Sequence, residues 1–197
     1  ASVITYSGKE VSSTQLIPIV YVTELKISSP VEMLTAASRF DRLTIKLDSS
    51  LTTLLREVAD DKPVLVMQNL GLDSYPLWHY AVVVGYDLAK QELVLRSGEQ
   101  KRLVNSFYEF ERSWQRANYW AVVVVAPDAM PLSASEAEFS RAVKSLETRA
   151  TPEILIQAYK TGIRQWHRTL SCNWGWVMPV MRRATILRLP GLLPPRQ

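Results

Sequence analysis

A chain of 197 residues is long enough to bury one sizeable core, or one core with a helical appendage. Its 47% hydrophobic and 21% charged content is that of an ordinary globular protein, and its net charge of +4 comes from scattered Lys and Arg residues. No basic run with interleaved aromatics is present, which argues against nucleic acid, and the apolar stretch Ala121–Ala126 is far too short to span a bilayer.

Cysteine and histidine usage narrows the chemistry further. Cys172 is alone, which excludes an internal disulfide and any zinc-ligand spacing. The two histidines, His79 and His167, lie too far apart for a metal motif, so neither metal nor other cofactor is expected. No signal peptide is visible, and the chain opens with Ala1 in place of methionine.

In chain order, Ala1–Thr5 reads as the end of a helix, stopped by Ser7-Gly8. Ser13-Thr14-Gln15 opens a short apolar segment interrupted by Pro18. Ser29-Pro30-Val31-Glu32 is a helix start, with a serine cap, proline in the first turn and a glutamate three residues on. Arg42–Leu47 alternates as a strand does, and Leu51–Val58 repeats leucines at helical spacing behind Ser49-Ser50. Pro63–Gln68, Tyr80–Tyr86, Glu92–Leu95, Lys101–Val104 and Tyr119–Val125 read as strands, with Asp87–Lys90 as a hairpin connection. A helix from Ser106 to about Arg116 turns Phe107, Phe110 and Trp114 inward. Helices first and a mostly antiparallel sheet after them make an α+β protein, not a repeating βαβ one.

A first domain is expected over 1–127, followed by a linker over 128–134. Glu136–Thr148 and Pro152–Arg168 read as an antiparallel helix pair within 135–170, the size of one unit of a helical repeat array. Residues 171–197 form an irregular tail with no workable period.

Trp78-His79-Tyr80 opens a buried strand, and histidine has the proton affinity to act as a base near neutral pH. Such a histidine is also compatible with an ordinary hydrogen-bonded core position. If Asp87 pairs near Gln91, the residue opposite His79 falls close to Glu99, so Ser97 and Glu99 are candidates to hold the imidazole in one tautomer. Taken singly, each reads first as a solvated strand end. Gln68 and Asn69 end the preceding strand and, with Trp78, are candidates to line a cleft at that end of the sheet. Asp87 reads as a turn residue only. Cys172 sits in the unpatterned tail and reads as a free thiol, not a nucleophile. No Gly-x-Ser-x-Gly elbow and no glycine-rich phosphate loop is present, and Gly71-Leu72-Asp73 is a turn.

The stretch Lys62–Gly71, followed by Trp78-His79-Tyr80-Ala81-Val82-Val83-Val84-Gly85-Tyr86-Asp87, resembles the second half of papain-like cysteine peptidases of the bacteriocin-processing type, family C thirty-nine. It is most similar to the bacterial envelope proteins that join such a domain to tetratricopeptide repeats. Glu92–Gly98 and Tyr119–Val122 continue the resemblance, which covers roughly Ala1 to Pro127.

The resemblance implies a papain-like fold, peptide or protein substrates, a bacterial envelope or periplasmic location, and His79 as general base. In that family a glutamine and then Cys-Gly-Pro open a helix ahead of the histidine strand, and the cysteine is the nucleophile. Ala1-Ser2-Val3-Ile4 resembles the continuation of that helix, so the nucleophile is expected upstream of Ala1 and this chain is expected to be inactive. An acid ordinarily follows the histidine strand, and Ser97 stands near its place.

The tail adds an expectation of its own. Back-translated and read from the third base of each codon, Asn173–Pro179 gives a sequence close to the Leu-Gly-x-x-Tyr core of a tetratricopeptide helix. A frameshift near Leu170 is therefore expected to have replaced further repeats. Three functions stay open: a truncated peptidase, a non-catalytic peptide-binding module whose helices dock a protein partner, and a decaying gene fragment. Loss of a central helix would bare part of the sheet, so a chain prone to aggregation is expected.

Overall fold

The computed structural model describes residues 2–12, 14–16 and 30–166. Ser29, Pro18, His167, Cys172 and the tail over 171–197 lie outside the described residues. The elements follow the sequence pattern closely. They are α1 (Ser2–Tyr6), α2 (Pro30–Ala36) with a 3-10 turn at Ala37–Phe40, β1 (Leu43–Lys46), α3 (Leu51–Ala59), β2 (Val64–Asn69), β3 (Trp78–Asp87), β4 (Glu92–Ser97), β5 (Gln100–Ser106), α4 (Phe107–Gln115), β6 (Ala121–Val125), α5 (Glu136–Leu146) and α6 (Pro152–Gln165).

Local chemistry sets the helix starts. Ser50 caps α3 by accepting the Thr53 N–H at 3.4 Å. Ser106 and Glu109 form a reciprocal capping box at α4: the serine hydroxyl accepts the Glu109 N–H at 3.2 Å, and the glutamate accepts the Ser106 N–H at 3.4 Å. Ser135 opens α5 the same way, accepting from the Glu138 N–H. Gly8, at φ +85°, takes the left-handed conformation that ends α1.

The strands form one antiparallel sheet in the order β1-β6-β2-β3-β4-β5. Alternation along each strand gives it two apolar faces. One face carries Ile45, Val66, Val83 and Leu95, and on it lie Leu54 of α3, Phe110 and Trp114 of α4, and Phe139 and Leu146 of α5. The other carries Leu65, Val82 and Val122, packed by Val3 of α1 and by Met33 and Leu34 of α2. This is the mixed α+β architecture expected, with helices on both sides of the sheet.

Leu155 and Ala158 of α6 belong to the same buried cluster as the first face. The segment leading to α5 is tied down as well. Glu57 of α3 is fully buried, and one of its carboxylate oxygens accepts the Ser133 N–H at 2.7 Å and the Ser133 hydroxyl. Among the described residues, no helix is long and apolar enough to cross a membrane.

Candidate active site

His79 is the second residue of β3 and stands opposite Gln68 of β2. With Ala81 and Val83 it occupies the α4 face of the sheet, whereas α1 packs against the other face. The imidazole is half-buried, and its Nε2 lies 2.7 Å from the Ser97 Oγ. Either the ring N–H donates to the hydroxyl oxygen or the hydroxyl donates to the bare ring nitrogen, depending on tautomer.

The β3–β4 hairpin brings this pair together. Asp87 pairs with Glu92, and its Oδ1 accepts the Lys90 N–H at 3.1 Å, which closes the turn. That backbone bond, followed by the nearby Lys90 ammonium, holds the exposed Asp87 carboxyl below its ordinary value. A bulge between Val83 and Gly85 then shifts the register, so that Ala81 faces Ser97. Ser97 is thus diagonal to His79 and within reach of its ring. The chain reverses immediately afterwards at Gly98, φ +56°, and Ser97 pairs with Gln100. Glu99 sits at the exposed tip of that reversal, with no hydrogen bond to His79.

The polar residues that end β2 are hydrogen-bonded to neighbouring elements and loops. Gln68 is 3% exposed and donates from Nε2 to the Ser113 Oγ at 2.7 Å. Ser113 in turn donates to the Phe110 carbonyl at 2.8 Å, which ties the strand below His79 to α4. Asn69, 2% exposed, shapes the loop into β3: its Oδ1 accepts the Gly71 N–H at 3.0 Å and the Leu77 N–H at 2.9 Å. Its carbonyl oxygen receives both Nε and Nη2 of Arg116, at 3.1 and 2.9 Å. Trp78 is half-exposed on the face opposite His79, in line with Tyr80 and Val82.

The structure therefore brings His79, Ser97 and Gln68 together on one face, and leaves Glu99 and Trp78 apart from them. Sequence reasoning passes over Ser113 and Arg116, whose roles depend on partners far along the chain. It also passes over the leucines of the 70–77 loop, although apolar residues flanking Gly71 are a readable departure from ordinary turn chemistry.

An antiparallel sheet with helices on both faces and a histidine heading a central strand is consistent with a C39-like peptidase fold. The chain belongs to the Peptidase_C39 like family, whose model matches residues 19–122, more than half of the sequence and inclusive of His79 and Ser97. Among solved structures it is similar to a Bacillus anthracis protein assigned as a C39-like peptidase, with a TM-score of 0.51 and 15% identity over 64% of this chain and 84% of that one. At that identity the likeness is one of fold. No curated protein matches the chain.

Proposed function

We propose that this chain presents the acid–base half of a cysteine-peptidase-like site, with His79 as the base, Ser97 as the group that orients its ring, and a peptide as the ligand. The observation that carries this is the 2.7 Å contact between His79 Nε2 and Ser97 Oγ in a domain of this family. A second group that holds the tautomer and direction of a histidine base makes it more effective, and a hydroxyl can do so. Of the two candidate orienters we adopt Ser97 over Glu99.

The same reading assigns no peptide hydrolysis to these residues acting alone. Attack by a peptidase of this type requires a thiolate, and no cysteine precedes His79 in the sequence. Incubating the purified chain with a mixture of peptides under reducing conditions, and reading the products by mass spectrometry, tests this directly. No cleavage attributable to His79 is expected. Cleavage that disappears in His79→Ala would overturn the inactivity.

A second reading, a non-catalytic peptide-binding module, is favoured by the hydroxyl at Ser97, where the family resemblance leads one to expect an acid. Peptide affinity that His79→Ala leaves unchanged would favour it. We carry α5 and α6 as a tetratricopeptide-like pair able to dock a protein partner, and an envelope location, as parts of the proposal that rest on the resemblance alone.

A further inference from the structure

Turn residues are ordinarily small or polar, yet between β2 and β3 the opposite holds. Leu72 is 69% exposed, Tyr75 81% and Leu77 62%, with Leu70 and Trp78 about half exposed. Scattered apolar side chains on a surface need no explanation, but several large ones exposed within one short loop are a departure that calls for one.

These side chains are also held out by construction. Leu70 N–H donates to the Leu77 carbonyl at 2.9 Å, and Leu72 and Tyr75 exchange backbone bonds at 3.2 and 3.1 Å. Asn69 takes the remaining N–H groups of Gly71 and Leu77. Gly71 cannot be replaced without strain, because a Cβ there would fall on the Tyr75 carbonyl oxygen and 2.9 Å from the Leu77 nitrogen. With its backbone bonds satisfied in this shape, the loop has no low-cost way to turn its leucines inward. A surface already ordered also spares a ligand the entropy of ordering it.

We infer that the 70–78 loop is the specificity element of the His79 site, and that it takes a peptide segment carrying bulky, uncharged apolar side chains. The inference rests on the reading of His79 as a peptide-site residue. Two observations commit it to this occupant. The first is charge: Asp73 is the one formally charged residue in 70–78, so an acidic or basic segment would lose hydration there with little electrostatic return. The second is continuity: the ladder runs on through the Leu70–Leu77 bond, so Leu77, two residues ahead of His79, falls by alternation on the same side of the strand, about 7 Å along it.

The test uses the 197-residue chain and three fluorescein-labelled peptides of one length. One alternates Leu and Phe with Ser, and the others replace the apolar positions by Glu or by Lys. Binding is read by anisotropy, and the ring signals of His79 by proton NMR; with two histidines in the sequence, His79→Ala assigns them. The variant Leu72→Ser/Tyr75→Ser removes exposed side chains and leaves the Asn69 clamp intact, and Leu72→Ser alone serves if the double variant unfolds.

The apolar peptide is expected to bind at least about tenfold more tightly than either charged one, a difference of about 1.4 kcal/mol. The double variant should lose about as much, and saturation should shift the His79 ring signals. Apolar binding that shifts His79 but is indifferent to the loop variants overturns the loop inference and leaves the site reading standing. Loop-dependent binding with unmoved His79 signals overturns the site reading, and the inference with it. Preference for a charged peptide overturns the inference. So does a dimer in sedimentation that the double variant dissociates, since the occupant is then a second copy of the chain.

Discussion

Asn69 closes a loop with one side-chain oxygen. It satisfies two backbone donors, those of Gly71 and Leu77, which the strand ladder does not reach. Asn69→Ala leaves both without a protein partner, and the unfolding free energy is expected to fall by about 2 kcal/mol. Urea denaturation reads this as a lower midpoint at unchanged slope, accompanied by faster amide exchange at Leu77. An unchanged midpoint and unchanged exchange would show that water replaces the amide without loss. Ser97 presents the complementary case. It offers His79 a dipole where an acid would offer a charge, so it can fix the direction of the ring but cannot balance an imidazolium as a carboxylate does.

Between elements, the seam of α5 and α6 carries a titration. Tyr159 of α6 donates its hydroxyl to Glu147 at the end of α5. Burial, and then the Glu147 carboxylate, raise the phenol far above its ordinary value of 10.0. A group whose folded value is raised contributes stability that is fully present below the unfolded value and is lost as pH climbs from there toward the folded one. The seam should therefore weaken as pH rises past 10.0, and Tyr159→Phe should flatten that alkaline decline in thermal melts. Equal alkaline slopes in both proteins would contradict it.

Elements are also the scale at which sequence and structure part company. The capping box at Ser106 and Glu109, the cap at Ser50 and the valine strands are local patterns, and each is readable where it stands. Asp87 marks its hairpin equally well. The far end of that hairpin is less legible, because alternation does not announce the reversal at Gly98 that ends β4, keeps Ser97 near the imidazole and carries Glu99 to the exposed tip. The partner of Gln68 is not legible either, because a polar strand end looks the same whether solvent or a helix hydroxyl lies beyond it. The deciding partner, Ser113, is 45 residues away.

Across the whole molecule, one buried cluster joins β1, β2, β3, β4 and β6 to α3, α4, α5 and α6. Phe139 of α5 is 2% exposed within it and packs against Trp166, ring centroids 5.5 Å apart. Such sharing couples the helix pair to the sheet, so Phe139→Ala is expected to cost about 3–5 kcal/mol and to lower one common unfolding transition. Calorimetry that resolves two transitions, with only one of them moved by the substitution, would show that α5 and α6 melt by themselves.

Ser97 makes His79 a poised base only if its hydroxyl holds the imidazole in one orientation. Long-range nitrogen–proton NMR of the His79 ring, recorded where the ring is neutral, measures this most directly. The prediction is a single dominant tautomer in the parent protein, replaced in Ser97→Ala by the mixture typical of free histidine. The same mixture in both proteins would mean that the 2.7 Å contact does not orient the ring, and would remove the basis for reading His79 as a poised base.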